Sequence, residues 1–390
     1  MKNIFYSLMV VATLPSLMSC GNGSDDPLPP SHETTPRTVL VYMVAQNNLS
    51  GNGESDLAEM LQAARDGHLG ESRLLVYHDG LGSAPKLYEI TPQGREIICE
   101  YDDETMSVAR ERFEQVILDA KEAAPADRFG LIMWGHGTGY VQDGIEEPAI
   151  NTLSYGGESV DKKSYWMNTT TMARALEDKG FDWIYFDCCF MAGVEVAYEL
   201  RGVTDYIVAS ATELPAEGMP YQKTLRHLMP GNSDLIGAAG ETFGHFDAMK
   251  GMYRTCTMSV IRTAALDELA RVMRSVYITT SVLPEGYVPQ CYQTDDDHAR
   301  YGWAYYDLEH YAMALAGNHA VLSKAVPIAV GMAVSAAYAT PKLWNEVDLS
   351  NHCGLSTLII ESDDDPQLDR FGYRELQWWS DVVQPRFIQD

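Results

Sequence analysis

Basic residues are scarce in this chain. Its 390 residues include 28 Lys and Arg against 55 Asp and Glu, a formal net charge of −27. Nucleic-acid binding needs cations to neutralise phosphates, so this balance argues against a nucleic-acid partner. It favours solubility and attracts cationic partners. Cysteine is sparse as well. The seven cysteines stand at Cys20, Cys99, Cys188, Cys189, Cys256, Cys291 and Cys353. Their scatter, without Cys-x-x-Cys pairs, excludes a zinc ribbon and a dense disulfide framework. No His-Glu-x-x-His is present, which disfavours a zinc hydrolase. No Gly-x-Ser-x-Gly is present, which disfavours a serine hydrolase elbow. Internal repeats are absent. What the chain does have is apolar mass: 46% hydrophobic and 21% charged residues, enough for one large packed domain or two.

The N-terminus reads as a targeting segment. Lys2 supplies a positive start, and Ile4 to Leu14 form an apolar stretch too short to span a membrane comfortably. It ends in Leu17-Met18-Ser19-Cys20, which looks like a bacterial lipobox with Cys20 as the acylated residue. Residues 1–19 are therefore expected to be a lipoprotein signal peptide, and the mature protein to be exported and lipid-anchored to the outer membrane or cell surface. An ordinary signal peptide with an incidental Cys is the alternative. Residues 20–37 are rich in Gly, Ser, Asp and Pro and read as a flexible tether. Ser24-Asp25-Asp26 resembles the acidic export signals of bacterial surface lipoproteins.

From Thr38 onward, strands alternate with helices. Strands are expected at Thr38–Ala45, Arg73–His78, Phe129–Trp134, Trp183 to Phe186 and Tyr206–Ala209. A hairpin is expected over Leu87–Glu100, turning at Pro92-Gln93-Gly94. Helices are expected over Asp56–Asp66, Ser107–Ala124, Thr169–Lys179 and Ala192–Leu200. This alternation predicts an α/β fold, a mostly parallel sheet flanked by helices. Residues 141–166 break the rhythm and read as a long exposed polar loop. The catalytic core is assigned to 38–232, and a helix-rich C-terminal part packed on it to 233–390. In that part helices are expected at Leu235–Met249, Ala264–Tyr277, Tyr305–Ala316 and Lys324–Tyr338, with strands at Cys256–Ile261 and Leu355–Glu361.

Two apolar runs carry the chemistry. Leu131-Ile132-Met133-Trp134 leads into Gly135-His136-Gly137, and Trp183-Ile184-Tyr185-Phe186 leads into Asp187-Cys188-Cys189-Phe190-Met191. Buried parallel strands read as continuous apolar runs, and ligands sit beyond their carboxyl ends. A His at one such end and a Cys at another are the parts of a thiol nucleophile and its base. Cys189 is expected at the start of a helix, where the dipole lowers a thiol pKa and backbone N–H groups face an oxyanion. Gly137, lacking a side chain, is placed to offer a second N–H. Core packing is the plainer reading for either residue alone.

Taken in order, these segments resemble the clostripain family of cysteine peptidases, in the caspase-like clan. The matching pieces include Val41-Tyr42-Met43-Val44-Ala45-Gln46-Asn47-Asn48-Leu49, the His136 and Cys189 motifs, Ala211 to Tyr221, Thr257 to Ile261 and Tyr306-Asp307-Leu308. The resemblance implies a caspase-like sheet and a thiol endopeptidase cleaving after Arg or Lys through a thioester acyl-enzyme. It assigns His136 and Cys189 as the dyad and makes the backbones of Gly137 and Cys189 the oxyanion donors. Asp187 would read the basic side chain together with Glu217, for which Glu213 is the competitor. Family members are often cut between the His and Cys motifs, so self-cleavage after Lys162 or Lys163 is expected.

Three departures stand out. The family usually has Asp at the position of Gln46, Ala at Cys188, and Trp at Met219. The doubled cysteine leaves a contest between Cys188 and Cys189; the family motif, read from Asp187 to Met191, assigns Cys189, and strand alternation lets only one of the two meet His136. No cofactor is expected. Calcium is left open: Asp295-Asp296-Asp297 and Asp363-Asp364-Asp365 lack the spaced order of a calcium loop. The expected partners are peptide or protein substrates and, through the lipid, a membrane, with the protein itself a monomer. The rival reading is a non-catalytic surface lipoprotein of the same fold that binds peptides or glycans.

Overall fold

The computed structural model describes residues 34–141, 155–160, 163–280, 283–296, 302 and 304–388. Cys20, the tether up to residue 33 and Lys162 lie outside them. Among the described residues no helix is long and apolar enough to cross a membrane.

The centre is a nine-stranded sheet. Its strands are β1 (Thr38–Ala45), β2 (Arg73–Gly80), β3 (Lys86–Thr91), β4 (Gly94–Glu100), β5 (Phe129–Trp134), β9 (Phe181–Asp187), β10 (Thr204–Ala209), β11 (Thr257–Arg262) and β13 (Val334–Ala339), in the spatial order β13-β11-β10-β9-β5-β1-β2-β3-β4. Between β5 and β9 come β6 (His136–Gly137), β7 (Tyr155–Val160) and β8 (Lys163–Met167), which form a small antiparallel sheet. The run from β10 through β9, β5 and β1 to β2 is parallel throughout, and antiparallel strands flank it on both sides. The fold is the mostly parallel, helix-flanked α/β arrangement expected from the alternation, and it fits the caspase-like sheet that the family resemblance implies.

Alternation within each central strand builds two cores. On β1, Leu40, Tyr42 and Val44 face one side, while Val39, Val41, Met43 and Ala45 face the other. Helices Ser50–Arg65, Tyr221–Leu228 and Leu235–Asp247 cover the second face. Helices Arg110–Ala123, Thr169–Leu176, Leu266–Thr279 and Leu308–Ala316 cover the first. Every residue of β1 is buried, which explains why its sequence is a continuous apolar run.

Three expectations change. The polar stretch 141–166, read as a loop, contains the β7–β8 hairpin; its Gly156-Gly157 and the charged Glu158 and Lys163 hid the strand period. The helix expected over Lys324–Tyr338 ends at Ala333, and the next six residues become β13. Ala-rich Val334–Ala339 has helical propensity, but pairing with β11 and the stacking of Tyr338 on Phe243 decide its conformation. The expected strand at 355–361 shrinks to Ser356–Thr357, paired with β12 (Tyr306–Asp307). β11 and β13, both beyond residue 232, complete the same sheet as the catalytic strands.

Register places the site. Trp134 at the end of β5 pairs with Asp187 at the end of β9. His136 and Cys189 each stand two residues beyond that pair, past the ends of neighbouring parallel strands about 4.8 Å apart.

Candidate active site

A cleft of about 300 Å³ opens at these strand ends. Asn48, Trp134, His136, Cys189, Glu213 and Leu214 line it. The structure therefore brings together the two motifs and adds Asn48, Glu213 and Leu214 from other segments.

The His136 ring is held on several sides. Its Nε2 lies 2.8 Å from Asn48 Oδ1. An amide oxygen only accepts, so Nε2 carries the proton and Nδ1 keeps its lone pair. Trp166 of β8 lies against the ring at 6.1 Å between centroids. Gly157 approaches so closely that a Cβ there would sit 3.1 Å from His136 Cδ2. Burial lowers the His136 pKa, favouring neutral imidazole at neutral pH. A neutral imidazole with a free Nδ1 lone pair can accept a thiol proton.

Cys189 is half-buried, and its sulfur lies 3.4 Å from the Leu214 N–H and 3.8 Å from the Leu214 carbonyl. Its pKa is pushed up to about 12, first by burial and next by the charge of Glu213. This reverses the expectation of a helix-lowered thiol. The following helix begins only at Val194, capped by Gly193. Phe190 takes a left-handed φ of 62°, and Phe190 N–H and Ala192 N–H donate to Thr212 and Ser210 carbonyls. Those bonds hold 189–192 against the end of β10, so no helix can start there. A bulky residue at positive φ is strained, and the Phe190 ring is locked by stacking on Tyr305 at 4.3 Å.

Cys188 points elsewhere. It is 2% exposed, and its thiol donates to the Met133 carbonyl at 3.0 Å. Gly137 explains how the two strand ends fit. A Cβ on it would lie 2.5 Å from the Cys189 carbonyl oxygen and 2.9 Å from Cys188 Cβ.

The acidic residues separate by role. Asp187 is buried and does not cap a helix. Its carboxylate accepts from Met219 N–H at 2.9 Å and Tyr221 hydroxyl at 3.0 Å, tying down the 210–221 segment. Burial holds its carboxyl above the usual range. Glu213 lines the cleft and accepts from Trp344 Nε1 at 2.7 Å. Glu217 is exposed and does not line it. Beneath the cleft wall, Asp56 accepts from Trp134 Nε1 at 2.7 Å, and burial pushes its carboxyl far up. Lys163 is exposed, at the first position of β8. Among the described residues no three His, Cys, Asp or Glu side chains converge as metal ligands. Asp363 pairs with Arg374, and Asp365 caps the helix beginning at Pro366.

Sequence reasoning missed Asn48 as a partner of His136. The signal was available: Asn48 follows β1, so it too lies beyond the carboxyl end of a central parallel strand. Trp344 and Asp56 had no such signal, because only tertiary packing brings them against the cleft residues Glu213 and Trp134.

The β7–β8 hairpin also carries a buried acid. Glu158 is 4% exposed and accepts from Val108 N–H at 3.2 Å. Its pKa rises from 4.5 to about 7, through burial first and the nearby Asp79 second. The folded state thus binds a proton that the unfolded chain releases near pH 4.5, so stability falls as pH rises through that window. Glu158→Gln keeps the acceptor and removes the charge. The variant is expected to gain about 1–3 kcal/mol over wild type at pH 8, and nothing at pH 4. Urea unfolding at the two pH values checks this, and equal gains at both would refute the linkage.

A thiol and an imidazole at neighbouring strand ends of a caspase-like sheet define a cysteine peptidase. The comparisons agree. A model of the clostripain family matches residues 41–320, and the chain belongs to that family. A structure of an inactive zymogen C11 protease from Parabacteroides distasonis is 28% identical, with a TM-score of 0.76, covering 91% of this chain and 100% of its own. A secreted C11 cysteine protease from Bacteroides thetaiotaomicron, solved with an irreversible peptide inhibitor, is 26% identical, with a TM-score of 0.74, covering 90% of this chain and 99% of its own. No curated protein matches the chain. The rival reading of a non-catalytic binder gives way to that of a clostripain-like cysteine peptidase.

Proposed function

We propose that the chain is an exported endopeptidase that cleaves peptide bonds after Arg or Lys, with Cys189 as nucleophile and His136 as base. The observation that carries this reading is that Cys189, His136 and Glu213 line one cleft.

In this reading His136 Nδ1 takes the Cys189 proton as sulfur attacks the substrate carbonyl carbon. The oxyanion is met by the N–H groups of Gly137 and Cys189. The C–N bond then breaks, and His136 returns the proton to the leaving amine. The remaining thioester is hydrolysed by a water that His136 deprotonates, which regenerates the thiol. Asn48 fixes the ring tautomer that this sequence needs. Glu213 and Asp187 attract the cationic side chain, with Glu217 at the outer rim. A carboxylate facing a guanidinium gives a strong, directional contact.

Peptides identical except for Arg, Lys, Gln or Leu before the scissile bond test the specificity. Arg and Lys peptides are expected to exceed the others at least about 100-fold in kcat/KM, the order of a charge-assisted contact worth 2–3 kcal/mol. Equal hydrolysis of the Leu peptide would refute basic specificity.

The 28% identical zymogen supports a latent precursor here as well, activated by cleavage after Lys162 or Lys163. Intact mass of wild type and of Cys189→Ala reads this directly, since processing that persists in pure Cys189→Ala is not self-cleavage. A lipid anchor at Cys20 and a monomeric state complete the proposal. The secreted relative supports export.

A further inference from the structure

Tyr305 touches both segments of the dyad from the core side. The side chain is fully buried. Its hydroxyl donates to the carbonyl of Thr138, two residues past His136. Its ring stacks on Phe190, the residue after Cys189, at 4.3 Å between centroids and 8° between planes. The two segments meet at that same point. A Cβ on Gly139 would lie 2.6 Å from the Phe190 carbonyl oxygen and 3.1 Å from Tyr305 Cε1. Phe190 holds a φ of 62°, a conformation that a bulky residue keeps only where its surroundings impose it. Burial pushes the Tyr305 phenol pKa far up, so the hydroxyl keeps its proton and stays a donor.

The C-terminal part of the chain fixes Tyr305 in its turn. The Tyr305 carbonyl accepts from Tyr292 N–H at 2.8 Å. The neighbouring Ala304 carbonyl accepts from the Tyr140 hydroxyl at 2.8 Å, so residues 304–305 hold the His136 segment at two points. β12 follows directly and pairs with Ser356–Thr357. Ser356 N–H donates to the Ala192 carbonyl at 3.0 Å, three residues past Cys189. Beside it, the buried Glu195 carboxylate accepts from Thr357 hydroxyl at 2.7 Å, Leu358 N–H at 3.0 Å and Tyr373 hydroxyl at 2.8 Å. The far end of the Cys189 turn is thus gripped by the same short strand pair that Tyr305 leads into.

We propose that Tyr305 is a positioning residue that ties the His136 segment to the Cys189 turn and so fixes the separation of imidazole and thiol. This rests on the reading of Cys189 and His136 as the dyad. Asn48 and Trp166 hold the imidazole itself, whereas Tyr305 holds the backbone that carries it. Without the hydroxyl, the Thr138 carbonyl loses that partner, and the His136 segment drifts from the Cys189 turn. The proton passes from Sγ to His136 within the chemical step, and reacting groups misplaced by about 1 Å lose about 100-fold in rate. Tyr305 does not line the cleft, so substrate binding is untouched. The loss therefore falls on kcat and leaves KM in place.

The experiment uses the full active chain and whichever of the Arg, Lys, Gln and Leu peptides wild type cuts fastest, which frees it from the question of specificity. Tyr305→Phe keeps the stacked ring and removes the hydroxyl. It is expected to lower kcat about tenfold, with KM within about twofold of wild type. Tyr305→Leu removes the ring as well and is expected to lower kcat about 100-fold. Tyr198→Phe is the control. It deletes a tyrosine hydroxyl bonded to Asp381 at 3.1 Å, outside the cleft lining, and is expected to keep wild-type kcat. Urea midpoints check that each variant is folded under assay conditions; should Tyr305→Leu fail to fold, Tyr305→Phe decides alone. Wild-type kcat in Tyr305→Phe overturns the positioning role. An equal fall in Tyr198→Phe overturns it too, as the mark of general destabilisation, and so does a loss confined to KM. Cys189→Ala reads the dyad separately. Turnover retained in Cys189→Ala removes the dyad and this role with it. An inactive Cys189→Ala beside a fully active Tyr305→Phe leaves the dyad standing and refutes Tyr305 alone.

Discussion

Cys189→Ala abolishes peptide hydrolysis, a loss of at least about 10⁴-fold in kcat, whereas Cys188→Ala stays within about threefold of wild type. The contrast follows from where two adjacent sulfurs point. Cys189 borders the cleft with His136, and its sulfur meets the Leu214 backbone at the cleft wall. Cys188 is buried, with its thiol bound to the Met133 carbonyl on the neighbouring strand. Replacing Cys188 by Ala deletes one sulfur and one weak hydrogen bond from a packed interior, a stability loss of about 1–2 kcal/mol that leaves the Cys189 thiol and the His136 ring in place. Steady-state hydrolysis of an Arg peptide and a urea midpoint for each variant separate the two roles. An inactive Cys188→Ala of normal stability would reverse the assignment.

Much of this site was legible because burial and register leave marks in sequence. Leu131–Trp134 of β5 and Trp183–Phe186 of β9 are continuous apolar runs since both faces of each are covered, and His136 and the Cys188-Cys189 pair follow them. The pairing of Trp134 with Asp187 then makes their equal offset a spatial fact. Other parts left no such mark. β13 is Ala-rich, and only its β11 partner makes it a strand. The β7–β8 hairpin hides its period behind two glycines and charged residues, yet it buttresses the His136 ring. The state of the Cys189 thiol depends on where the next helix begins. Phe190 at positive φ and the bonds to Ser210 and Thr212 delay that start, and a local reading of Met191 to Leu200 cannot foresee bonds to another segment. A local reading prefers Glu217 over Glu213 for the same reason. The path of a loop, set by Asp187 gripping Met219 and Tyr221, decides which of them lines the cleft.

Gly137→Ala is expected to reduce kcat about 10²- to 10³-fold and stability by about 1–3 kcal/mol. The added methyl would lie 2.5 Å from the Cys189 carbonyl oxygen, 2.9 Å from Cys188 Cβ and 3.2 Å from Met191 Cγ. The first two atoms are fixed by backbone, so no rotamer change relieves the overlap. The segments carrying His136 and Cys189 must move apart, and misplacing reacting groups by about 1 Å is enough for a loss of this size. Gly51 gives the matched control. It lies in the helix Ser50–Arg65 with nothing within 4 Å of its would-be Cβ, so Gly51→Ala is expected to keep activity and gain up to about 1 kcal/mol. Comparing kcat and urea midpoints of the two variants isolates the strand-end contact from the general effect of adding a methyl. Full activity in Gly137→Ala would mean that the two strand ends slide freely, and the cleft would then owe its geometry to the 210–221 segment instead.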